Sequence, residues 1–97
     1  MDIKVVDDLL SQVNIVNVIE RYIPLTKAGS NYKALCPFHD EKTPSFSVSE
    51  KLQIFKCFGC DAKGNAVTFV RDYEKISFWE AVRKVADMAG FTLPESN

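Results

Sequence analysis

The two stretches Cys36-Pro37-Phe38-His39 and Cys57-Phe58-Gly59-Cys60 contain every cysteine and the only histidine of this 97-residue chain. Within each stretch two residues separate the potential donors, a spacing that lets both side chains turn toward one point. Three thiolates and one imidazole suit a tetrahedral Zn²⁺ ion, and four protein donors leave no coordination position for water or a substrate. We therefore predict one structural zinc ion with four ligands. These ligands are Cys36, His39, Cys57 and Cys60.

Ordinary buried thiols and a disulfide are the alternative interpretations of the cysteines. If the cysteines were ordinary thiols, the two identical spacings would be a coincidence, although together they include every cysteine and histidine of the chain. A disulfide would leave one of the three cysteines unpaired, and residues 1–6 carry charges where a secretory signal needs an apolar run. We therefore expect a reducing, intracellular setting, in which metal binding is favoured over disulfide formation.

Length and composition predict one α+β domain over residues 1–97, with residues 94–97 as the start of a linker. Hydrophobic residues make up 46% of the chain and charged residues 26%, as in ordinary globular proteins, so disorder is not expected. No apolar run approaches the roughly 18 residues of a membrane-spanning helix. We expect no membrane partner.

Hydrophobic periodicity predicts helices at both ends of the chain. Segments 2–10 and 15–22 have helical spacing, and Pro24 should end the second helix because the residue before proline avoids the α region. Near the other end, Asn65 can cap a third helix, and Ser77 with Glu80 forms a capping box that starts a fourth.

The middle of the chain predicts antiparallel strands joined by turns. The strands are residues 25–27, 32–36, 45–49 and 54–57. Residues 28–31 form a turn-rich cluster between two β-prone runs, which indicates a hairpin, and residues 61–64 predict a loop. Both metal-binding stretches then lie at strand ends. The expected fold is a zinc ribbon, a small antiparallel sheet flanked by N-terminal and C-terminal helices.

The distribution of charge matters more for function than the net charge of −1, which by itself argues against nucleic acid. Residues 27–63 contain six lysines and four acidic residues, whereas the rest of the chain contains six basic and nine acidic residues. A solvated surface with no ligand would show the same mild asymmetry. Charge alone leaves both interpretations open.

Aromatic and basic side chains interleave on the predicted strands, as on surfaces that stack unpaired bases and hold backbone phosphates. Core packing is the alternative for these aromatic residues, and we expect it for Phe46 and Phe55. A solvated turn is the alternative for residues 42–45. The candidate nucleic-acid contacts are Lys27, Tyr32, Lys33, Lys42, Thr43, Ser45, Lys51, Lys56, Phe58 and Lys63.

Three motifs together resemble the N-terminal zinc-binding domain of bacterial DNA primase, a CHC2-type zinc ribbon. They are residues 32–39, residues 41–46, and residues 55–60 followed by Gly64-Asn65. The resemblance covers nearly the whole chain and implies that the four metal donors named above are zinc ligands. It also implies a sheet face that reads single-stranded template DNA and helps to choose where an RNA primer begins.

The resemblance implies partners as well. These are the single-stranded template, a separate catalytic RNA-polymerising domain, and a replicative helicase bound through a C-terminal domain absent from this chain. The implied location is the cytoplasmic nucleoid or replisome. Ser30 departs from the family pattern, in which a basic residue often follows the glycine of the first hairpin. The chain ends before any segment like the polymerising domain, so we expect no primer synthesis by this chain alone.

Two other functions fit parts of the pattern. His39-Asp40-Glu41 and the Cys57/Cys60 pair match the two halves of a zinc deaminase signature, with Glu41 as the proton shuttle. However, Lys56 stands where that signature has proline, and Cys36 is near enough to take the position of the reactive water. The second alternative is a zinc ribbon whose acidic helices dock a protein partner.

Replacing Cys36 with alanine distinguishes a structural zinc site from a catalytic one. We expect Cys36→Ala to bind Zn²⁺ at least about tenfold more weakly and to fold poorly, because the fourth position of the shell is lost. Competition with a chromophoric chelator measures the affinity, and urea unfolding measures the stability. A deaminase would keep its metal and its activity in this variant.

Overall fold

A computed structural model describes residues 3–38 and 44–93, and within these residues the chain forms four helices and one five-stranded sheet. The helices are α1 (Ile3–Gln12), α2 (Ile15–Glu20), α3 (Ala66–Glu74) and α4 (Phe78–Ala89). The strands are β1 (Thr26–Ala28), β2 (Asn31–Ala34), β3 (Phe46–Ser49), β4 (Ile54–Cys57) and β5 (Lys63–Gly64). The expected α+β fold is confirmed. The linker predicted at residues 94–97 lies outside the described residues.

The strands follow one another in the order β1-β2-β3-β4-β5, and every neighbouring pair is antiparallel. The first hairpin turns on only two residues, Gly29 and Ser30, because Ala28 pairs directly with Asn31. Gly29 has φ 66°, a left-handed conformation that glycine adopts at little cost. The predicted four-residue turn is therefore two residues too long.

Other predicted boundaries are wrong as well, including those of the first two strands, which were expected at residues 25–27 and 32–36 but lie at Thr26–Ala28 and Asn31–Ala34. The loop expected at residues 61–64 is too long, because Lys63 and Gly64 form β5 and pair with β4. A two-residue strand has no periodicity that the sequence can reveal. The helix α2 ends at Glu20 and not near Pro24, because the amides of Arg21 and Tyr22 bond to carbonyls three residues earlier and tighten the last turn.

The caps predicted for α3 and α4 are confirmed, and Asn14 caps α2. Asn14 accepts a hydrogen bond from the Val16 amide at 2.9 Å, and Asn65 accepts one from the Thr68 amide at 3.0 Å. The hydroxyl oxygen of Ser77 accepts from the Glu80 amide at 3.2 Å. These local bonds fix where each helix begins.

A side chain from the turn between β3 and β4 also caps α2, a contact that the sequence does not predict. The carbonyl oxygen of the Gln53 side chain accepts a hydrogen bond from the Ile15 amide at 2.7 Å. The Gln53 amide group donates to the backbone oxygen of Glu50 at 2.6 Å. The turn between β3 and β4 is thereby attached to the N-terminus of α2.

Phe69 of α3 is the centre of the hydrophobic core. Its side chain is fully buried, and its ring centroid lies 5.5–5.9 Å from those of five other rings. These rings belong to Tyr22, Phe38, Phe46, Phe55 and Tyr73. Phe46 and Phe55 are 0% and 1% exposed, so the expectation that they pack in the core is confirmed. One face of the sheet is covered in this way, and the other remains open to solvent.

The described helices are too short and too polar for any of them to cross a lipid bilayer.

Substitution of Gly64 tests how β5 is held against α3. Gly64 has φ 153°, and an added Cβ would lie 2.5 Å from the methyl carbon of Thr68. We expect Gly64→Ala to lower the free energy of unfolding by roughly 2–4 kcal/mol, from backbone strain and overpacking together. Urea unfolding of the zinc-loaded chain measures the change.

The matched control is Gly29→Ala. Gly29 also has a positive φ, but an added Cβ there would meet no heavy atom within 4 Å. We expect this variant to lose only about 1–2 kcal/mol from backbone strain. Equal losses in the two variants would contradict a role for the Thr68 contact.

Candidate metal centre and the adjoining sheet face

Three strand ends bring the cysteines together. Ala34 of β2, Phe46 of β3 and Cys57 of β4 stand in register across the sheet, so Cys36 leaves β2 close to Cys57. Cys60 lies in the turn that follows β4. The Sγ atoms of the three cysteines all lie within 4.8 Å of one another. His39, the predicted fourth ligand, lies outside the described residues.

The spacing of the sulfur atoms fits a tetrahedral zinc ion. With Zn–S bonds of about 2.3 Å, two sulfurs of a tetrahedral shell lie roughly 3.8 Å apart. The Sγ atoms of Cys36 and Cys60 are 3.7 Å apart. The three thiols therefore form most of a closed zinc shell without any rearrangement of the strands.

Hydrogen bonds to sulfur prepare the cysteines as ligands. The Phe38 amide donates to the Cys36 sulfur at 3.4 Å, and the Ser45 hydroxyl lies 3.5 Å from the Cys57 sulfur. Donors that point toward sulfur in this way stabilise the thiolate form. Ser45 is a predicted DNA contact, and the sequence gives no sign of its position beside Cys57.

The two buried thiols differ in acidity. Burial raises the pKa of the Cys36 thiol to about 12, more than the Phe38 amide can offset. Burial also acts to raise the pKa of Cys57, but hydrogen bonds from the Ser45 hydroxyl and from the amides of Cys60 and Gly59 outweigh it and lower that pKa to about 7. The surroundings of Cys57 therefore favour its thiolate and those of Cys36 disfavour it, and the charge of a bound cation would favour the thiolate at both positions.

The backbone around the cysteines is firmly held. The turn after β4 folds back on Cys57, whose amide donates to the Ala62 oxygen at 2.7 Å and whose oxygen accepts from the Asp61 amide at 2.8 Å. On the other side of the site, the Phe38 ring packs against Phe69 at 5.6 Å between centroids. The metal centre is therefore continuous with the hydrophobic core.

Three of the predicted DNA contacts form a row on the solvent face of the sheet. The cross-strand register pairs Lys33 with Ser47, Ser47 with Lys56, and Lys56 with Lys63. Directly opposed residues share a face, and the neighbouring positions Val48 and Phe55 are buried, so this row points to solvent. All three lysines are exposed. We call Lys33, Lys56 and Lys63 the basic row.

Phe58 extends this face toward the metal centre. It follows β4 and is 71% exposed, although it is a large apolar side chain. The Nζ atom of Lys56 lies 5.2 Å from the centroid of its ring. A cation and an exposed aromatic ring are thus adjacent, which is the combination that holds a phosphate beside a stacked base.

The sheet separates other predicted DNA contacts from the basic row. Lys27 pairs with Tyr32, which pairs with the buried Val48, so both belong to the face that carries the core. The Nζ atom of Lys27 lies 6.0 Å from the centroid of the half-buried Tyr32 ring. Lys51 is exposed in the turn between β3 and β4. Lys42 and Thr43 lie outside the described residues.

Comparison with known proteins gives a consistent result. A family model described as CHC2 zinc finger matches residues 1–97. The DNA primase of Haemophilus influenzae is 54% identical over 89 residues, which are 92% of this chain and 15% of that protein. The DNA primase of Pasteurella multocida is 49% identical over 92 residues, which are 95% of this chain and 16% of that protein.

A solved structure is also similar. The crystal structure of the Aquifex aeolicus primase, described as containing zinc-binding and RNA polymerase domains, matches with a TM-score of 0.88 and 49% identity. The match covers 93% of this chain and 22% of that one. The family match, this neighbour and the thiol cluster together support one structural zinc ion in the chain.

Zinc removal tests the metal centre directly. We expect an excess of a strong chelator to make all three thiols reactive toward a thiol reagent and to lower the midpoint of thermal unfolding, because the ion links β2 to β4. Amide hydrogen exchange should show the largest loss of protection in β2, β3 and β4, and a smaller loss in α4.

The control for zinc removal is the same chelator saturated with zinc beforehand, which should change neither thiol reactivity nor stability. Unchanged thermal unfolding after complete removal of zinc would exclude a structural role for the ion.

Proposed function

This chain belongs to the CHC2 zinc-finger family, and on that basis we propose that it is the zinc-binding domain of a DNA primase and binds single-stranded template DNA. The chain spans about 15% of the length of the primases it resembles, so the catalytic step belongs to other parts of such a protein. The role proposed for this domain is to help choose where an RNA primer begins.

The basic row carries this proposal. Lys56 and Lys63 occupy directly opposed positions on β4 and β5, and like charges in such a pair repel each other. Among the described residues, no acidic side chain forms an ion pair with any lysine of the row. The phosphates of a nucleic-acid strand would relieve this repulsion, since phosphate binding depends on clustered basic side chains.

Phe58 supports a single strand over a duplex. Its ring is exposed beside Lys56 and can stack only on a base whose face is free. Bases in a duplex are already stacked on their neighbours, so an exposed ring on an open sheet favours an unpaired strand. Stacking tolerates every base and leaves sequence preference to other contacts.

The zinc ion supports this function without touching the DNA. Two positive charges against three thiolates leave the centre with a charge of about −1, which does not attract phosphate. We assign four residues as its ligands, Cys36, His39, Cys57 and Cys60. The abbreviation CHC2 in the family description stands for one cysteine, one histidine and two cysteines, which is the order of these residues along the chain. The ion then holds the strands that carry the lysines.

The partners are proposed from the relatives. The Aquifex aeolicus protein joins zinc-binding and RNA polymerase domains, so a catalytic RNA-polymerising domain is the first partner proposed for this chain. A replicative helicase, bound through a C-terminal domain, and a location at the nucleoid or replisome follow from the primase assignment.

The structure disfavours one of the two alternative functions, a zinc deaminase, and leaves the other, a protein-binding zinc ribbon, open. A deaminase needs a zinc position open to water, but Cys36 lies 3.7 Å from Cys60 and occupies that part of the shell. A zinc ribbon that binds only protein remains the competing hypothesis. DNA titration separates it from the proposal.

Charge removal on the basic row tests the proposal. We expect the triple variant Lys33→Gln, Lys56→Gln, Lys63→Gln to bind a short single-stranded oligonucleotide more weakly than the zinc-loaded parent chain. The slope of log affinity against log salt concentration should fall by about 2, because each phosphate contact on a single strand contributes roughly 0.7. Fluorescence anisotropy over a range of salt concentrations measures both quantities.

The control removes the charges of Lys75 and Arg83, which are exposed on the helical side of the molecule. We expect Lys75→Gln with Arg83→Gln to leave the salt slope unchanged. The protein-binding alternative would be favoured if the chain did not bind the oligonucleotide. It would also be favoured if the affinity changed neither with salt concentration nor with substitution of the basic row.

A further inference from the structure

A cavity of about 390 Å³ opens beside the basic row, over β1 and β2. This volume lies within the range of roughly 300–1,000 Å³ that small-molecule sites have. Its lining is mostly apolar and includes two proline rings and a leucine. The lining contains Pro24, Thr26, Ala28, Lys33, Leu35 and Pro44.

The cavity lies on the solvent face of the sheet, the face that carries the basic row. Thr26 pairs directly with Lys33, and Ala28 lies two residues further along β1, so all three side chains share that face. Leu35 follows two residues after Lys33 and is 51% exposed, which is high for a leucine. Lys33 is therefore both a wall of the cavity and the first member of the basic row.

The lining defines the chemistry of an occupant. A mostly apolar lining with one lysine and one threonine favours a group that is apolar on its faces and able to accept hydrogen bonds at its edge. Lysine has three donors and no acceptor, so the group that meets Lys33 must present an acceptor. A nucleobase has this combination, since every base has a π face and hydrogen-bonding atoms at its edge.

The neighbouring lysines favour this occupant over an apolar peptide. A strand whose phosphates follow Lys63, Lys56 and Lys33 across the sheet arrives at the mouth of the cavity, because Lys33 belongs to both. The positive charge of the basic row thus reaches the cavity through Lys33, with the neutral Ser47 of β3 between Lys33 and Lys56. A peptide would need acidic groups at the same spacing.

We propose that the cavity over β1 and β2 is a subsite that receives one unstacked base of the single strand bound along the basic row. This inference rests on the proposed function and adds a base-recognising element to it. Phe58 then stacks one base where the chain leaves β4, and the half-open cavity over β1 and β2 receives another. More side chains contact the base at the cavity than at Phe58, where a single ring covers one of its faces.

The test compares two ligands on the zinc-loaded chain, a short oligothymidine and a strand of the same length whose residues are all abasic. The ratio of the two affinities measures what the bases contribute. We expect Leu35→Ser, which removes an apolar wall, to lower this ratio by about fivefold, the lower end of what one stacked base contributes. The salt slope should not change, because the lysines remain.

Leu35 is next to Cys36, which we assign as a zinc ligand. A second variant therefore separates the loss of the cavity wall from an effect on zinc binding. Ala28→Ile fills the cavity from β1 with a residue that strands favour, and it should lower the ratio in the same way. The control is Leu52→Ser, which replaces a leucine that is 65% exposed in the turn between β3 and β4. We expect it to leave the ratio unchanged, and we expect equal zinc content in all variants.

The outcomes distinguish failure of the subsite from failure of the proposed function. A ratio that stays at the parent value in both cavity variants, while the strand still binds with its normal salt slope, would overturn the subsite and leave the proposed function intact. Failure of the parent chain to bind either strand at low salt would overturn the proposed function itself. A reduced ratio in both variants, with an unchanged ratio for Leu52→Ser, would establish the subsite.

Discussion

The convergence of three sulfur atoms at the ends of β2 and β4 is the constraint on which the rest of the structure depends. Cys36 and Cys57 meet only if β2, β3 and β4 keep their register, and Cys60 reaches them only if the turn after β4 closes. In small domains a structural zinc ion supplies an apparent ~10–16 kcal/mol at neutral pH. That is comparable to the whole free energy of unfolding of a typical domain. Register and metal binding therefore stabilise each other.

The core transmits this constraint to the helices. Phe38 follows Cys36 by two residues and packs against Phe69, whose ring contacts aromatic side chains from the sheet and from the residues just after α2. Gln53 attaches the far end of the β3–β4 hairpin to the first amide of α2. The sheet is thus held at its two ends by different means, a metal centre at one and a helix cap at the other. A rigid sheet keeps the side chains of its open face at fixed spacings.

The sheet places the candidate binding residues on two opposite faces, and residue types alone do not predict which residue lies on which face. The three lysines of the basic row lie on different strands but on the same face. Tyr32 is the neighbour of Lys33 along β2, so it lies on the opposite face, together with its partner Lys27. The face of the basic row also carries an exposed ring just after β4 and an apolar cavity over β1 and β2. The proposed function therefore assigns phosphate binding and base binding to different parts of one surface.

The sequence alone determined the features that depend on neighbours along the chain. The x-x spacings predicted a metal centre at which the three cysteines converge, period-2 and period-3.6 patterns predicted most strands and helices, and Asn65 and Ser77 predicted their caps. These inferences succeeded because short-range geometry fixes which side chains share a face or an end.

Only the tertiary structure decided what depends on register across strands. The existence of β5, the hydrogen bond between Ser45 and Cys57, the cap provided by Gln53 and the alignment of the basic row all join residues far apart in sequence. Cross-strand pairing has a period of two, so a shift by one residue would move every lysine to the opposite face. No local pattern carries that information, because register is fixed by the buried face and the metal centre together.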